Sequence, residues 1–76
     1  MSDLSTVICN YINNEWISQW DDSIRSFASE HDVEEKTVRQ IMDIKKTPYK
    51  IGLYTLAKMC KARGVSLAEF FTLIER

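Results

Sequence analysis

The sequence predicts an all-α, compact five-helix domain, and three observations predict it. Apolar residues recur every three or four positions in five separate segments, the spacing of helices with one buried stripe. Two glycines and one proline are too few turn formers for a small sandwich or barrel. Apolar residues make up 45% of the chain and charged residues 28%, and 76 residues suit one hydrophobic core, so residues 1–76 are read as a single domain.

The first segment, residues 3–19, has Leu4, Ile8, Tyr11, Ile12 and Trp16 at helical spacing, with Ser2, Asp3 and Ser5 as capping candidates. Asp21, Asp22 and Ser23 form a polar break that can cap the next helix. The second segment, residues 23–31, places Ile24, Phe27 and Ala28 on one face. The third, residues 34–43, places Val38, Ile41 and Met42 inward. Between them lie His31, Asp32 and Val33. Asp32 stands where a tight helix–helix turn needs a residue tolerant of positive φ, and Asn or Asp is the next choice after Gly. Val33 is the apolar plug of that turn, and His31 reads as a surface or capping residue.

Residues 43–51 form a lysine-rich loop marked by Thr47 and Pro48. The fourth segment, residues 53–62, carries Leu53, Leu56, Ala57 and Cys60 at i, i+3, i+4 and i+7, and Arg63-Gly64 stops it. Ser66 and Glu69 have capping-box spacing. They open a fifth segment with Leu67, Phe70, Phe71 and Ile74 apolar. The pairs Trp16/Trp20 and Phe70/Phe71 read as core residues, with room for one member of each to be exposed, because neighbours at i, i+4 or i, i+1 cannot all point inward.

Charge is divided along the chain. Residues 1–35 hold eight acids and one base, whereas residues 36–76 hold nine bases and three acids, for a net charge of −1. Such polarity fits a basic face for a phosphate backbone, and equally an ordinary solvated surface. Cys9 and Cys60 lack metal-ligand spacing and read as reduced packing residues of a cytoplasmic protein. No apolar stretch approaches the ~18 residues that span a bilayer. No Cys/His pair with an orienting third group, phosphate-cradling Gly loop or His-rich spacing is present, so no enzyme, metal or cofactor chemistry is expected.

Two short helices around a brief turn form the helix-turn-helix unit, here residues 23–43. The order Ser23…Phe27-Ala28, Asp32-Val33, Thr37-Val38, Ile41 resembles the lambda-repressor-like, Cro-type (XRE) family. So does the ending Thr55-Leu56-Ala57-Lys58-Met59-Cys60-Lys61-Ala62-Arg63-Gly64-Val65-Ser66-Leu67-Ala68-Glu69-Phe70-Phe71. The resemblance covers residues 23–75. Asp32 replaces the family's turn Gly, and the loop before the fourth helix is about three residues longer than the common form. Many members pair an Arg in helix one with a Glu ending the reading helix; the corresponding positions here are Ile17 and Met42, a joint apolar replacement.

The resemblance implies that the third segment enters the major groove of double-stranded DNA. Its base-facing positions fall on Glu35, Lys36 and Gln40, with Thr37 and Arg39 nearby. Gln can pair bidentately with adenine, and Lys or Arg with guanine. Ser23, Arg25, Lys45, Lys46, Tyr49 and Lys50 are the candidates for phosphate contact. Phe71, Leu73 and Ile74 are the candidate dimer interface of a homodimer. The implied function is a small sequence-specific transcriptional regulator of bacterial or phage type. The alternative is an antitoxin-like or adapter module that keeps the fold and binds protein, which Glu34, Glu35 and the near-neutral charge leave open.

Overall fold

The computed structural model describes residues 3–74. It contains five helices: α1 Leu4–Tyr11, α2 Ile24–Glu30, α3 Glu35–Met42, α4 Leu53–Ala62 and α5 Leu67–Ile74, with no strand among the described residues. The capping candidate Ser2 lies outside the described residues. Asp3 is the N-cap of α1, its carboxylate accepting from the Thr6 N–H at 2.8 Å. Ser23 caps α2 by accepting from the Ser26 N–H, while Asp22 braces the Ser23 N–H. The Ser66/Glu69 box forms in both directions, at 2.9 and 3.0 Å.

The first segment departs from regular α winding. Beyond Tyr11 the chain continues as a wider π-wound stretch, Ile12–Ile17, with the Ser18 N–H bonding Asn13 O five residues back. On a regular α-helix Ile17 would point well away from the face shared by Ile8, Ile12 and Trp16. The wider turn swings it inward, and Ile12, Trp16 and Ile17 are all buried. Leu4, by contrast, is exposed, although its spacing places it on the apolar face.

One core joins all five helices. Phe27, Val38, Ile41, Leu56, Met59, Cys60 and Phe70 are sealed in it with Ile8, Cys9 and Ile12. The loop after α3 contributes too: Ile44 is buried, in a turn closed by Lys46 and Thr47 N–H bonds to Asp43 O. Cys9 and Cys60 are free and buried, and burial pushes the Cys9 thiol up to about 11. Ser5 does not cap α1. Its hydroxyl donates to Tyr49 O at 2.7 Å and accepts from the Ile51 N–H at 2.9 Å, clasping the loop to α1.

Rings form a continuous stack from α5 to α2. Phe70 meets Tyr11 and Trp16 at 5.4 Å each, and Trp20 meets Phe27 at 5.3 Å. None of Trp16, Trp20, Phe70 and Phe71 is exposed: the π-wound stretch and its continuation fold Trp20 back on α2. His31 is 2% exposed, not a surface residue, because its ring lies flat on Phe27 at 3.9 Å. Met42 is 37% exposed, not inward, although its carbonyl accepts from Asn13 Nδ2 at 3.4 Å. A sealed apolar pair of Ile17 and Met42 is therefore not what this fold uses.

Candidate nucleic-acid interface

The position of α3 is set by the turn before it. Val33 N–H bonds Ala28 O at 3.0 Å and Asp32 N–H bonds Ser29 O at 3.3 Å, a paired closure that leaves Asp32 at φ 56°. Val33 packs on the core, as the sequence predicts. His31 ends α2 and donates from Nδ1 to Phe27 O at 2.7 Å. That bond places a proton on Nδ1 and leaves buried Nε2 without a partner. Burial lowers the His31 pKa, and nearby Arg63 lowers it further; the Phe27 carbonyl and Glu30 act the other way. The balance disfavours its cation.

Glu34 is the N-cap of α3 rather than its first residue, with no side-chain capping bond. Val38 and Ile41 face the core, so helical geometry turns Lys36, Arg39 and Asp43 outward, and all three are exposed. Thr37 and Gln40 are half-buried on the flank toward the loop. There Gln40, Asp43, Thr47, Pro48 and Tyr49 line a small cleft. Burial raises the Tyr49 phenol, and the neighbouring Thr37 side chain partly offsets that.

On the other flank, Glu35 gathers two bases. Its Oε2 accepts from Arg39 Nη2 at 2.6 Å and Nε at 3.2 Å, and its Oε1 lies 3.7 Å from Arg25 Nε on α2. These bonds hold the Glu35 carboxyl below the usual range, Arg39 contributing most. Arg25, Glu35 and Arg39 thus form one group across the two helices of the turn. Ser23 is occupied as a cap at the start of α2. Lys45 and Lys46 project from the turn after α3. Lys50 lines a separate depression with Asp3, Leu4, Ser5 and Ile8, away from the Gln40 cleft.

Compared with known proteins, the chain matches no family model, no curated protein and no solved structure.

Two features were missed from sequence. Asp43 shares the outward face of Lys36 and Arg39, four residues beyond Arg39, and helical spacing would have included it. Tyr54, Lys58 and Lys61 stand at i, i+4 and i+7 on α4 and line an open groove with Asp32 and Ala57. The Lys58 ammonium sits over the Tyr54 ring at 4.6 Å. Of the candidate dimer residues, Phe71 and Ile74 are half-buried against the core, and Leu73 is 52% exposed. Among the described residues, no three His, Cys, Asp or Glu side chains converge as metal ligands, and no helix is long and apolar enough to cross a membrane.

Proposed function

We propose that this chain is a lambda-repressor-like, Cro-type DNA-binding domain, a small sequence-specific regulator that sets α3 into the major groove. One observation carries the reading: α3 presents Lys36 and Arg39 on its uncovered side, with Gln40 half-buried beside them at the mouth of the loop cleft, while its Val38/Ile41 side and the turn at Asp32 are locked to the core. A rigid helix with long donor-bearing side chains outward is what base reading requires. Arg25 and the Lys45/Lys46 turn flank that helix and supply phosphate contacts.

Lys36 and Gln40 are the base readers, Lys36 for guanine and Gln40 for adenine. Glu35 is engaged with Arg39 and Arg25 and acts through them. A homodimer, with Leu73 at the centre of its contact on α5, would place two α3 helices on half-sites about one helical turn apart. The protein-binding alternative draws support from the α4 groove, where Tyr54, Lys58 and Lys61 offer an exposed aromatic and two bases.

Selection of duplexes from a randomised pool, followed by titration, tests the reading. Affinity should fall by orders of magnitude between ~50 and ~200 mM salt as condensed counterions are released. Lys36→Ala and Gln40→Ala should each cost about 1–3 kcal/mol at one or two base positions only. Recovery of no preferred duplex, or equal losses at every base position, would sink it.

A further inference from the structure

The Glu35–Arg39 pair is an i,i+4 pair that supports α3 itself, but the reach of Glu35 to Arg25 on α2 is not explained by helix stability. Glu35 occupies the first turn of α3, where a carboxylate interacts well with the helix dipole. Glu34, one residue earlier, is fully available for that task and is exposed. Yet both Glu35 oxygens are turned to guanidinium groups: Oε2 to Arg39 and Oε1 to Arg25, on opposite sides of the turn. Arg39 puts Nε and Nη2 on the single oxygen Oε2, the same two donors that an arginine can offer to a phosphate. The arginine side chains remain 88% and 62% exposed, and among the described residues their ion pairs are to this carboxylate.

We propose that Glu35 is an intramolecular stand-in for a DNA phosphate, holding Arg25 and Arg39 until a fitting duplex takes them over. The inference rests on the DNA-binding reading above. Exchange of one anion for another yields little when the duplex is held only by its backbone. It becomes favourable when Lys36 and Gln40 also engage bases and bring α3 fully into the groove. Glu35 therefore weakens binding to any duplex by the free energy of the contacts that must be broken, and most where α3 sits fully in the groove.

The test uses Glu35→Gln, which keeps size and removes charge, and Glu34→Gln, which removes the same charge one residue away. Fluorescence anisotropy with a 30-base-pair duplex of mixed sequence needs no knowledge of the target site. At about 100 mM salt, Glu35→Gln should tighten binding roughly three- to ten-fold. It should also steepen the dependence of log affinity on log salt by about one, as a freed arginine displaces a counterion. Glu34→Gln should give less than half the tightening and no added slope. On a duplex selected for tight binding, the gain from Glu35→Gln should be at least as large, because the contacts are then fully broken. Arg39→Gln should cost more in the Glu35→Gln background than alone, with thermal melts confirming that all variants fold. Equal effects of the two glutamate variants, with wild-type binding intact, overturn the role of Glu35 and leave the DNA reading standing. No binding by the wild type or either variant at ~50 mM salt overturns both.

Discussion

The chain contains the same turn twice, and the two copies differ in what they serve. At the end of α2, Val33 and Asp32 N–H groups return to Ala28 and Ser29 carbonyls; at the end of α4, Val65 and Gly64 N–H groups return to Cys60 and Lys61 carbonyls at 3.0 and 3.1 Å. Position by position, Phe27 corresponds to Met59, His31 to Arg63, Asp32 to Gly64, and Glu34 to Ser66. The second turn follows local rules throughout: Gly bears the positive φ of 76°, and a reciprocal Ser66/Glu69 box starts the next helix. The first turn breaks those rules. Asp bears φ 56°, the N-cap has no side-chain bond, and an imidazole is buried with an unpartnered nitrogen. Local compromise of this kind gathers where a segment is selected for what it touches. The helix after the second turn is mostly apolar and packs; the helix after the first is polar outward.

The first turn is sealed by rings rather than by capping chemistry, so the largest effect comes from removing a ring. Phe27 is fully buried, stacked on His31 and edge-on to Trp20. Phe27→Ala should cost about 3–5 kcal/mol in urea denaturation, close to the whole stability of a domain this small. Met59→Ala, its counterpart before the second turn, should cost about 2–4 kcal/mol, because no stacked ring is lost with it. A smaller loss at Phe27 than at Met59 would refute the idea that the stack, and not the backbone closure, secures the first turn.

The next effect separates the turns by pH. His31 titrates near ~6.5 in the unfolded chain, and burial lowers that value in the fold. Between the two values the unfolded chain binds more protons. Stability is therefore full above pH ~6.5, and falls as pH drops toward the lowered folded value by up to ~1.4 kcal/mol per unit. Glu30 and Arg63 are the charges that bear on the ring, and they oppose each other. His31→Gln should flatten the profile just below about pH 6.5 while lowering overall stability. An unchanged slope in that variant would assign the acid sensitivity elsewhere. The depressed carboxyls Asp3 and Glu35 contribute in the opposite range: their stabilisation is present above about pH 4 and is lost below it.

Legibility in the sequence follows the same division. Positive φ at Asp32, the Gly64 stop and the Ser66/Glu69 box were readable because each rests on a few neighbouring residues. The burial of His31 was not, since it depends on Trp20 and Phe27 coming together across a change of direction. The π-wound stretch was also hidden: regular spacing from Ile8 to Trp16 gives no sign that the turn widens to admit Ile17. At the candidate interface, the α3 helix was legible from helical spacing, whereas its base-facing candidates came from the family resemblance and left out Asp43. The link from Glu35 to Arg25 was not legible, because it spans α2 and α3 and exists only once the turn is set. Ile44 was missed because a lysine-rich loop conceals one core residue.

The smallest effect is the most direct exchange between the turns. Asp at positive φ is tolerated but strained relative to Gly, while Gly loses more freedom on folding, so the two terms partly cancel. Asp32→Gly should raise stability by only a few tenths of a kcal/mol, up to about 0.5, in urea titrations. Gly64→Asp should cost a similar amount, since an added Cβ there meets nothing within 4 Å and only the backbone term is paid. The functional readouts should separate more clearly than the stabilities. Asp32 lines the α4 groove with Lys58 and Lys61, so Asp32→Gly makes that groove more basic without moving α3. Duplex selectivity through Lys36 and Gln40 should then be unchanged. A changed base preference in Asp32→Gly would mean that Asp32 governs the register of α3 itself, and that glycine is absent from this turn for function rather than by tolerance.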